Sequence, residues 1–283
     1  MKKTPLFAAL LGLFGSVVVP IYAQTVSLQP LWESDTTLRT PESVLYYPAQ
    51  KALYVACING RPTAENKGSF IAKVGLDGKV IKLRFTENLN STKGMGILGD
   101  KLYVTEMAQV AEISLSTGKV VNRYSIPEAK FLNDIAIDTR KNIIYVTDMG
   151  SNRVWSLTNG KAELVVEGAP LQNPNGLLFD NNQVLIGNGD GSLLAVDPAT
   201  KNVKTLGKVT GGIDGITALG RQAYMVSEWG GKVWHVRADG TTELKLDTTA
   251  EKINSADIDY NSDAKVLYVP TFNHNTVKAL SLK

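Results

Sequence analysis

Short apolar runs rich in β-branched and aromatic residues recur along the chain, and polar or glycine-containing segments separate them. The strongest of these runs occur six times: Leu53–Val55, Leu102–Val104, Ile144–Val146, Val184–Ile186, Ala223–Val226 and Leu267–Val269. Runs of this composition, bounded by turn residues, are typical of β-strands. The pattern therefore predicts an all-β protein.

The turns that close the hairpins repeat about every 41 residues. They are Asp77-Gly78, Thr117-Gly118, Asn159-Gly160 and Asp239-Gly240, and the segment Asp197–Lys201 fills the one gap. Gly78 and Gly118 are 40 residues apart, Gly118 and Gly160 are 42 apart, and Gly160 and Gly240 are 80 apart, or two periods. A strand-bearing repeat of this length is the period of propeller blades.

Each repeat shows the same order of strand-forming segments. A short apolar strand such as Ser43–Tyr46 or Ile135–Ile137 comes first, the strongest run follows, and a third strand leads into the turn. A fourth strand leaves the turn; these segments are Lys79–Phe85, Lys119–Ser125, Ala162–Val166, Val203–Leu206 and Thr241–Leu246. Six copies predict a six-bladed β-propeller with four antiparallel strands per blade.

The last repeat lacks a fourth strand. Its segments are Ser255–Asp259, Val266–Thr271 and Thr276–Leu282. A strand-like segment without a blade of its own, Val26–Trp32, precedes the first repeat. We expect this segment to complete the last blade, because closing the ring removes the exposed edges that an open array would leave.

The first 23 residues have the features of a secretory signal peptide. Lys2 and Lys3 form a basic start, Leu6–Val19 is an apolar run that is short for a membrane span, and Ala23 offers a small residue at the cleavage position. The alternative is a membrane anchor. We expect cleavage after Ala23, leaving one periplasmic or secreted domain over residues 24–283.

Composition narrows the function without naming it. Removal of Lys2 and Lys3 takes the formal net charge from +3 to about +1, which argues against a nucleic-acid or membrane-surface partner. Cys57 is the only cysteine, so no internal disulfide forms. A hydrophobic content of 43% is sufficient for one sizeable core.

Four oxygen-bearing residues occupy matching positions in the loops that lead into the innermost strands. They are Glu42, Asn133, Asn175 and Asp214. Because these loops share one face of a propeller, we expect the four side chains to surround the mouth of the central channel. Two facing carboxylates raise each other's pKa unless a cation lies between them. Two carboxylates and two amide oxygens suit a hard divalent cation, with Ca²⁺ favoured. Alternatively, these residues serve only as ordinary turn residues.

The motifs around these residues resemble one known family. Pro41-Glu42, Leu132-Asn133-Asp134, Pro174-Asn175-Gly176-Leu177 and Asp214-Gly215-Ile216 each introduce a blade. In this order and spacing they resemble the gluconolactonase and senescence-marker-protein (SMP-30) family over essentially the whole mature chain. The resemblance implies a catalytic divalent metal, usually Ca²⁺, bound by Glu42, Asn175 and Asp214, with Asn133 as a ligand or substrate contact.

Three departures from that family pattern concern the substrate. Phe131 stands where sugar lactonases of the family tend to have an Arg, Ser43-Val44 stands where Gly-Pro is usual, and Ile135 stands where Gly is common. The metal-binding set is retained, whereas the sugar-reading residues are not. We therefore expect Phe131, Met95 and Trp229 to contact a ligand less polar than a sugar lactone.

The loops between second and third strands complete the predicted rim. Asp148 and Glu228 lie there and are candidates to orient substrate or water. The longest of these loops, Cys57–Lys67, is either a partial lid or a solvated insertion, and the second interpretation is favoured. The two histidines, His235 and His274, lie outside the loops leading into the channel, which argues against a catalytic histidine pair. A packed thiol is expected for Cys57.

The sequence thus predicts an exported, metal-dependent hydrolase of a lactone or related ester. The metal would polarise the substrate carbonyl and lower the pKa of a bound water. Asp214 is expected to activate that water or to attack directly, and Asn133 to position the leaving oxygen. The alternative is a propeller without catalytic activity that binds a small ligand or a protein around a structural metal.

Overall fold

Six four-stranded antiparallel sheets follow one another along the chain in a computed structural model that describes residues 26–283. This arrangement confirms the predicted six-bladed β-propeller. The predicted signal peptide, residues 1–23, lies outside the described residues. Within residues 26–283, no helix has both the length and the hydropathy needed to cross a membrane.

The first strand along the chain is not part of the first blade. It is β1 (Leu28–Glu33). The first blade contains β2 (Pro41–Tyr47), β3 (Ala52–Cys57), β4 (Ser69–Gly75) and β5 (Val80–Leu89). The second contains β6 (Met95–Leu98), β7 (Lys101–Thr105), β8 (Gln109–Ser114) and β9 (Val120–Ser125). The third contains β10 (Leu132–Asp138), β11 (Ile143–Asp148), β12 (Arg153–Thr158) and β13 (Lys161–Glu167).

The remaining blades repeat this order. The fourth contains β14 (Leu177–Asp180), β15 (Gln183–Gly187), β16 (Ser192–Val196) and β17 (Val203–Lys208). The fifth contains β18 (Ile213–Gly220), β19 (Ala223–Glu228), β20 (Lys232–Val236) and β21 (Thr242–Asp247). The sixth contains β22 (Asp259–Asn261), β23 (Val266–Pro270) and β24 (Val277–Leu282). Single-turn 3₁₀ helices span Pro48–Gln50 and Phe272–His274.

The N-terminal strand closes the ring, as predicted. β1 pairs antiparallel with β24, with Leu28 opposite Leu282 and Glu33 opposite Lys278, and so becomes the outermost strand of the sixth blade. A strand from one end of the chain is thereby hydrogen-bonded to a strand from the other end. This pairing covers the edge that the last repeat would otherwise expose.

The innermost strand of the sixth blade differs from the prediction. Ser255–Asp259 was expected to form it, but β22 begins only at Asp259. The backbone of Asp257 instead bridges to the first blade: its N–H donates to the Glu42 carbonyl at 2.9 Å, and its carbonyl accepts from the Val44 N–H at 3.2 Å. The segment is extended, but its backbone hydrogen bonds join two blades.

The hairpin turns explain the repeat of glycines. Gly78, Gly118, Gly160 and Gly240 have φ angles of +81°, +72°, +78° and +84°, a region that glycine adopts without a Cβ clash. In the fourth blade Lys201 takes this role with φ +63°. The turn there is stabilised by the Asp197 carboxylate, which accepts the N–H groups of Ala199 and Thr200.

The core lies between blades. The second strand of each blade is mostly buried; all six residues of β3 are buried, for example. One apolar cluster joins Val55 and Phe70 of the first blade to Tyr268 and Val277 of the sixth. Cys57 is packed in the same cluster, and burial raises the pKa of its thiol. Each blade therefore depends on its neighbours to bury its faces.

Candidate functional site

Three of the four predicted ring residues occupy the same structural position, a β-bulge at the start of the innermost strand. Glu42, Asn133 and Asp214 lie at these bulges in the first, third and fifth blades. The register shifts fall between Pro41 and Ser43, between Leu132 and Ile135, and between Ile213 and Ile216. A bulge adds one unpaired residue and re-aims its side chain, as often occurs beside active sites.

Glu42, Asn175 and Asp214 come together at the channel mouth. The Asn175 side-chain amide donates to Asp214 Oδ1 at 2.9 Å. Burial raises the pKa of Glu42 well above its ordinary value, and the neighbouring charge of Asp214 raises it further. Glu42 is 6% exposed and Asp214 3%, so both carboxyls are almost free of solvent. Residues from the first, fourth and fifth blades thus form one polar group.

Burial also raises the pKa of Asp214, to about 7, against the opposing effect of the Asn175 hydrogen bond. The Oε2 atom of Glu42 is buried and has no hydrogen-bond partner. Asn133 is buried as well, and its side-chain amide makes only a weak 3.8 Å contact with the Met149 sulfur. The side chains predicted to bind a ligand are therefore only partly engaged with the protein itself.

Two further carboxylates, which were not predicted from the sequence as site residues, lie near the start of innermost strands. Asp134 accepts hydrogen bonds from the N–H groups of Leu177 at 2.5 Å and Ile135 at 2.6 Å, and so ties the third blade to the fourth. Asp257 accepts from the Ser43 hydroxyl at 2.6 Å and ties the sixth blade to the first. Burial raises the pKa of both carboxyls.

Glycines in the neighbouring blades make room for these two carboxylates. A Cβ on Gly94 would lie 2.2 Å from Asp134 Oδ1, and a Cβ on Gly215 would lie 2.5 Å from Asp257 Oδ1. The sequence held a signal for this packing, because Gly94 and Gly215 both lie at or near the start of innermost strands.

The second blade contributes a buried cation that sequence reasoning also missed. Lys93 is 1% exposed, and its Nζ donates to the Ser91 carbonyl at 2.9 Å and to the Ser91 hydroxyl at 3.1 Å. It lies 4.3 Å from the centre of the Phe131 ring. Burial lowers the pKa of Lys93 to about 8, and the charge of Glu42 acts to raise it. Lys93 thus places a positive charge close to Glu42.

The predicted apolar contacts do not converge on one pocket. Phe131 is half-buried beneath Lys93. Met95 is buried in the wall of the central channel, where a small cavity of about 90 Å³ extends past Asp134 and Asp257. Trp229 lies on the rim, 45% exposed, and contacts Phe272 edge to face at 5.5 Å. Phe131 is linked to the polar group through its contact with Lys93, whose charge acts on Glu42.

Asp148 and Glu228 hold loops of their own blades. Asp148 is fully buried and accepts from the N–H groups of Lys130 and Phe131 and from the Ser151 hydroxyl. Glu228 accepts from the Thr210 hydroxyl at 3.0 Å and from the Trp234 indole at 3.3 Å. Because both oxygens of Asp148 are engaged, this residue is not available to orient a substrate.

The same arrangement recurs in two other blades. Glu106 accepts from the Asn90 N–H, and Asn188 accepts from the Gln172 N–H. A carboxylate or amide at the end of the second strand thus satisfies backbone donors of the loop that leads into the innermost strand. This shared structural role explains why a carboxylate or amide side chain recurs at the end of the second strand in successive blades.

The long loop and the histidines lie outside the polar group. The loop between β3 and β4 is anchored at its base, where Ile58 packs against Phe272 and the Asn59 amide donates to the Gly68 carbonyl at 2.9 Å. His235 is buried within β20 and His274 is exposed in the second 3₁₀ helix. The structure therefore brings no histidine to the channel mouth.

The side chains at the channel mouth suit a hard cation, which carboxylate and amide oxygens can coordinate. No cluster of three or more His, Cys, Asp and Glu side chains suited to a metal is found within residues 26–283. A cation here would therefore need the carboxylates of Glu42 and Asp214 together with amide oxygens. The unpartnered Oε2 of Glu42 could serve as one ligand atom. Asn175 donates its N–H group to Asp214, so its side-chain oxygen is left for a cation.

The fold and this site define a class of protein: a six-bladed propeller with a buried polar group at one end of its channel. The family model described as outer membrane protein assembly factor BamB (PQQ_2) matches residues 65–244, more than half of the chain. The chain belongs to this family. The comparison with curated proteins gives no match.

Solved structures share the fold at low sequence identity. A candidate gluconolactonase has a TM-score of 0.67 and 14% identity, over 93% of this chain and 94% of its own. A gluconolactonase from Xanthomonas campestris has a TM-score of 0.64 and 18% identity, over 90% and 87%. A chain of a nidogen/laminin complex has a TM-score of 0.62 and 15% identity, over 76% and 86%. At these identities the likeness shows the fold alone.

Solved structures with the same fold thus include gluconolactonases, while the family match is to a different group of propellers. Propellers of one shape carry unrelated functions.

Proposed function

We propose that the protein is an exported hydrolase of a lactone or related ester that uses a divalent cation, Ca²⁺ being the expected ion, at the channel mouth. The observation that carries this proposal is the buried, unpartnered Oε2 of Glu42 beside Asp214. A buried polar atom without a partner costs roughly 1–3 kcal/mol, and more when the group is charged. A bound cation would offset that cost. The two gluconolactonase neighbours support the reaction class.

Each residue of the site has a role in this proposal. Glu42, Asn175 and Asp214 hold the cation, and Asn133 serves as a further ligand or as a substrate contact. When bound, the cation supplies Lewis-acid polarisation of the substrate carbonyl. Through the oxygen that Asn175 leaves free, Asp214 takes a proton from the attacking water and returns it to the leaving oxygen as the acyl–oxygen bond breaks. Alternatively, this oxygen attacks the carbonyl itself and expels the leaving oxygen, and water then hydrolyses the acyl-enzyme. The Asn133 amide donates to the leaving oxygen.

Phe131 and Lys93 indicate the kind of substrate. Phe131 replaces the arginine that sugar lactonases tend to have, and its ring lies against the buried Lys93 ammonium. Beside the polar group there is thus an aromatic face rather than a second exposed hydrogen-bonding side chain. This surface suits an aliphatic or aromatic lactone or an aryl ester better than a sugar lactone.

Calorimetric titration of Ca²⁺ into chelator-treated mature protein tests the proposal. We expect one-site binding that is lost in Glu42→Gln and retained in Glu106→Gln. The second variant is the control, because Glu106 is a buried carboxylate that accepts a hydrogen bond from the Asn90 N–H and is not one of the predicted cation ligands. A panel of lactones and aryl esters should then show hydrolysis that chelator removes. Absence of calcium binding by the folded protein would end the metal-dependent mechanism.

The family match favours a second candidate, an interaction propeller without catalysis. The matched residues 65–244 run from the loop before β4 into β21, and the family is described by an assembly role rather than by a reaction. Under this alternative the channel-mouth carboxylates are structural, as Asp134 and Asp257 are. It predicts no turnover of any ester, and normal partner binding by Glu42→Gln and Asp214→Asn variants.

Export is proposed from residues 1–23 of the sequence alone. Expression of the full chain in a bacterial host, followed by fractionation and intact-mass measurement, should give a periplasmic or secreted protein that begins at Gln24. A cytoplasmic protein that retains Lys2 and Lys3 would contradict cleavage.

A further inference from the structure

A groove of about 750 Å³ lies on the outer side of the ring, between the first and second blades. One wall is β5, the outermost strand of the first blade, and the other is the β8–β9 turn with β9, the outermost strand of the second. Its lining residues do not include the channel-mouth side chains. Five cationic residues line it: Lys67, Lys82, Arg84, Lys119 and Arg123.

The groove carries an excess of positive charge. Glu87 is the carboxylate that lines it, and Glu87 is already paired with Arg84 at 3.5 Å. Arg123 is held in place by the buried Glu106 at 2.8 Å. Within residues 26–283, Lys67, Lys82 and Lys119 make no ion pair with a carboxylate. Most of this charge is therefore available to a ligand.

The length of the groove excludes a single small anion as its full occupant. Lys82 and Asn88, both on β5, line it, and six residues of extended strand span about 20 Å. One phosphate or carboxylate would contact only a fraction of the cations. A ligand that uses the whole groove must carry several negative charges along an extended chain.

The lining also offers peptide-like hydrogen bonding and an apolar surface. The amide side chains of Asn88, Asn90 and Gln109 line the groove, and Phe85 and Val120 add apolar atoms. Lys82 and Arg84 are two residues apart on β5, the spacing at which side chains of an extended peptide recur on one face. Acidic side chains at alternate positions of a bound peptide would match that spacing.

We propose that this groove binds an acidic polypeptide segment, an extended stretch with several Asp or Glu residues and apolar residues between them. Attraction to its carboxylates comes from the three unpaired lysines, and the amide side chains contact its backbone. This binding surface is independent of the proposed hydrolase site, because the two share no residue.

Fluorescence anisotropy of a labelled octapeptide of alternating Glu and Leu tests the proposal on the mature protein. We expect saturable binding that weakens at least tenfold in the double variant Lys82→Glu/Lys119→Glu, and that also weakens in 300 mM salt because exposed charges are screened. The matched control is Lys141→Glu/Lys204→Glu, which makes the same change in net charge at exposed residues outside the groove and should bind as the wild type does.

Two results would overturn the proposal. Equal affinities in the groove variant and the control variant would show that only overall charge matters. Tighter binding of a sulfated hexasaccharide than of the peptide, lost in the groove variant, would assign the groove to an anionic sugar. Circular dichroism of each variant, unchanged from the wild type, shows that the comparison is between folded proteins.

Discussion

Replacement of Asp214 by Asn should make the metal-free protein more stable at pH 8 and abolish the proposed hydrolysis. Burial raises the pKa of Asp214 from 3.8 to about 7. Since the folded-state pKa lies above the unfolded value, stability from this group is fully present below pH 3.8 and is lost as the pH rises through about 7. The Asn side chain stays neutral and can still accept the Asn175 hydrogen bond through its Oδ1.

The size of the effect follows from the pKa. A rise of about three units corresponds to roughly 4 kcal/mol of lost stability once the pH exceeds both values, at about 1.36 kcal/mol per unit. At pH 5 the unfolded carboxyl is already ionised, so the expected change between pH 5 and pH 8 is about 3 kcal/mol. Glu42 acts in the same direction, because neutralising Asp214 removes a charge that raises the Glu42 pKa.

Urea unfolding in the presence of chelator, at pH 5 and pH 8, measures this effect. The free energy of unfolding of Asp214→Asn minus that of the wild type should grow by about 3 kcal/mol between the two pH values. Asp197→Asn is the control, since hydrogen bonds from Thr200 and Ala199 lower the pKa of that exposed carboxyl and its replacement should not stabilise. An Asp214→Asn protein that is no more stable than wild type at pH 8 would refute the reasoning.

Two other variants test the packing and the charges of the ring. In a double-mutant cycle with chelator, Lys93→Met should destabilise the wild type and Glu42→Gln by amounts that differ by roughly 0.5–3 kcal/mol. The reason is that the charges of Lys93 and Glu42 interact. Strictly additive effects would contradict this prediction. Gly94→Ala should cost about 1–3 kcal/mol of unfolding free energy, since its Cβ would lie 2.2 Å from Asp134 Oδ1. Gly230→Ala, whose Cβ would meet nothing closer than 3.8 Å, is the matched control and should be near neutral.

Much of the fold could be predicted from local sequence. The six strongest strand runs all lie within second strands of blades, and the turn glycines have the positive φ angles that their spacing implied. The predicted start of the innermost strand of the sixth blade, at Ser255, is wrong because the Asp257 backbone pairs with Glu42 and Val44 of the first blade. An extended segment has the same sequence pattern whether it pairs within its own blade or with the next.

The candidate site was predicted in part. Asn175 and Asp214 are hydrogen-bonded and the charge of Asp214 acts on Glu42, because residues at one phase of a closed repeat lie around one channel mouth. Asp148 was assigned to the rim, yet its carboxylate is used by backbone donors of a loop on its own blade. The contribution of Lys93 was missed, because nothing local indicates that a lysine will be 1% exposed.

The sequence by itself determined the strands, the turns, the number of blades and the phase at which polar residues recur, because alternation of apolar residues and turn chemistry act over a few residues. Only the tertiary structure decided which of those polar residues are satisfied and which are left without a partner. Ser43 and Asp257 hydrogen-bond across 214 positions of the chain. Desolvation and charge coupling at the channel mouth arise from several blades at once, and so they exist only after the ring has closed.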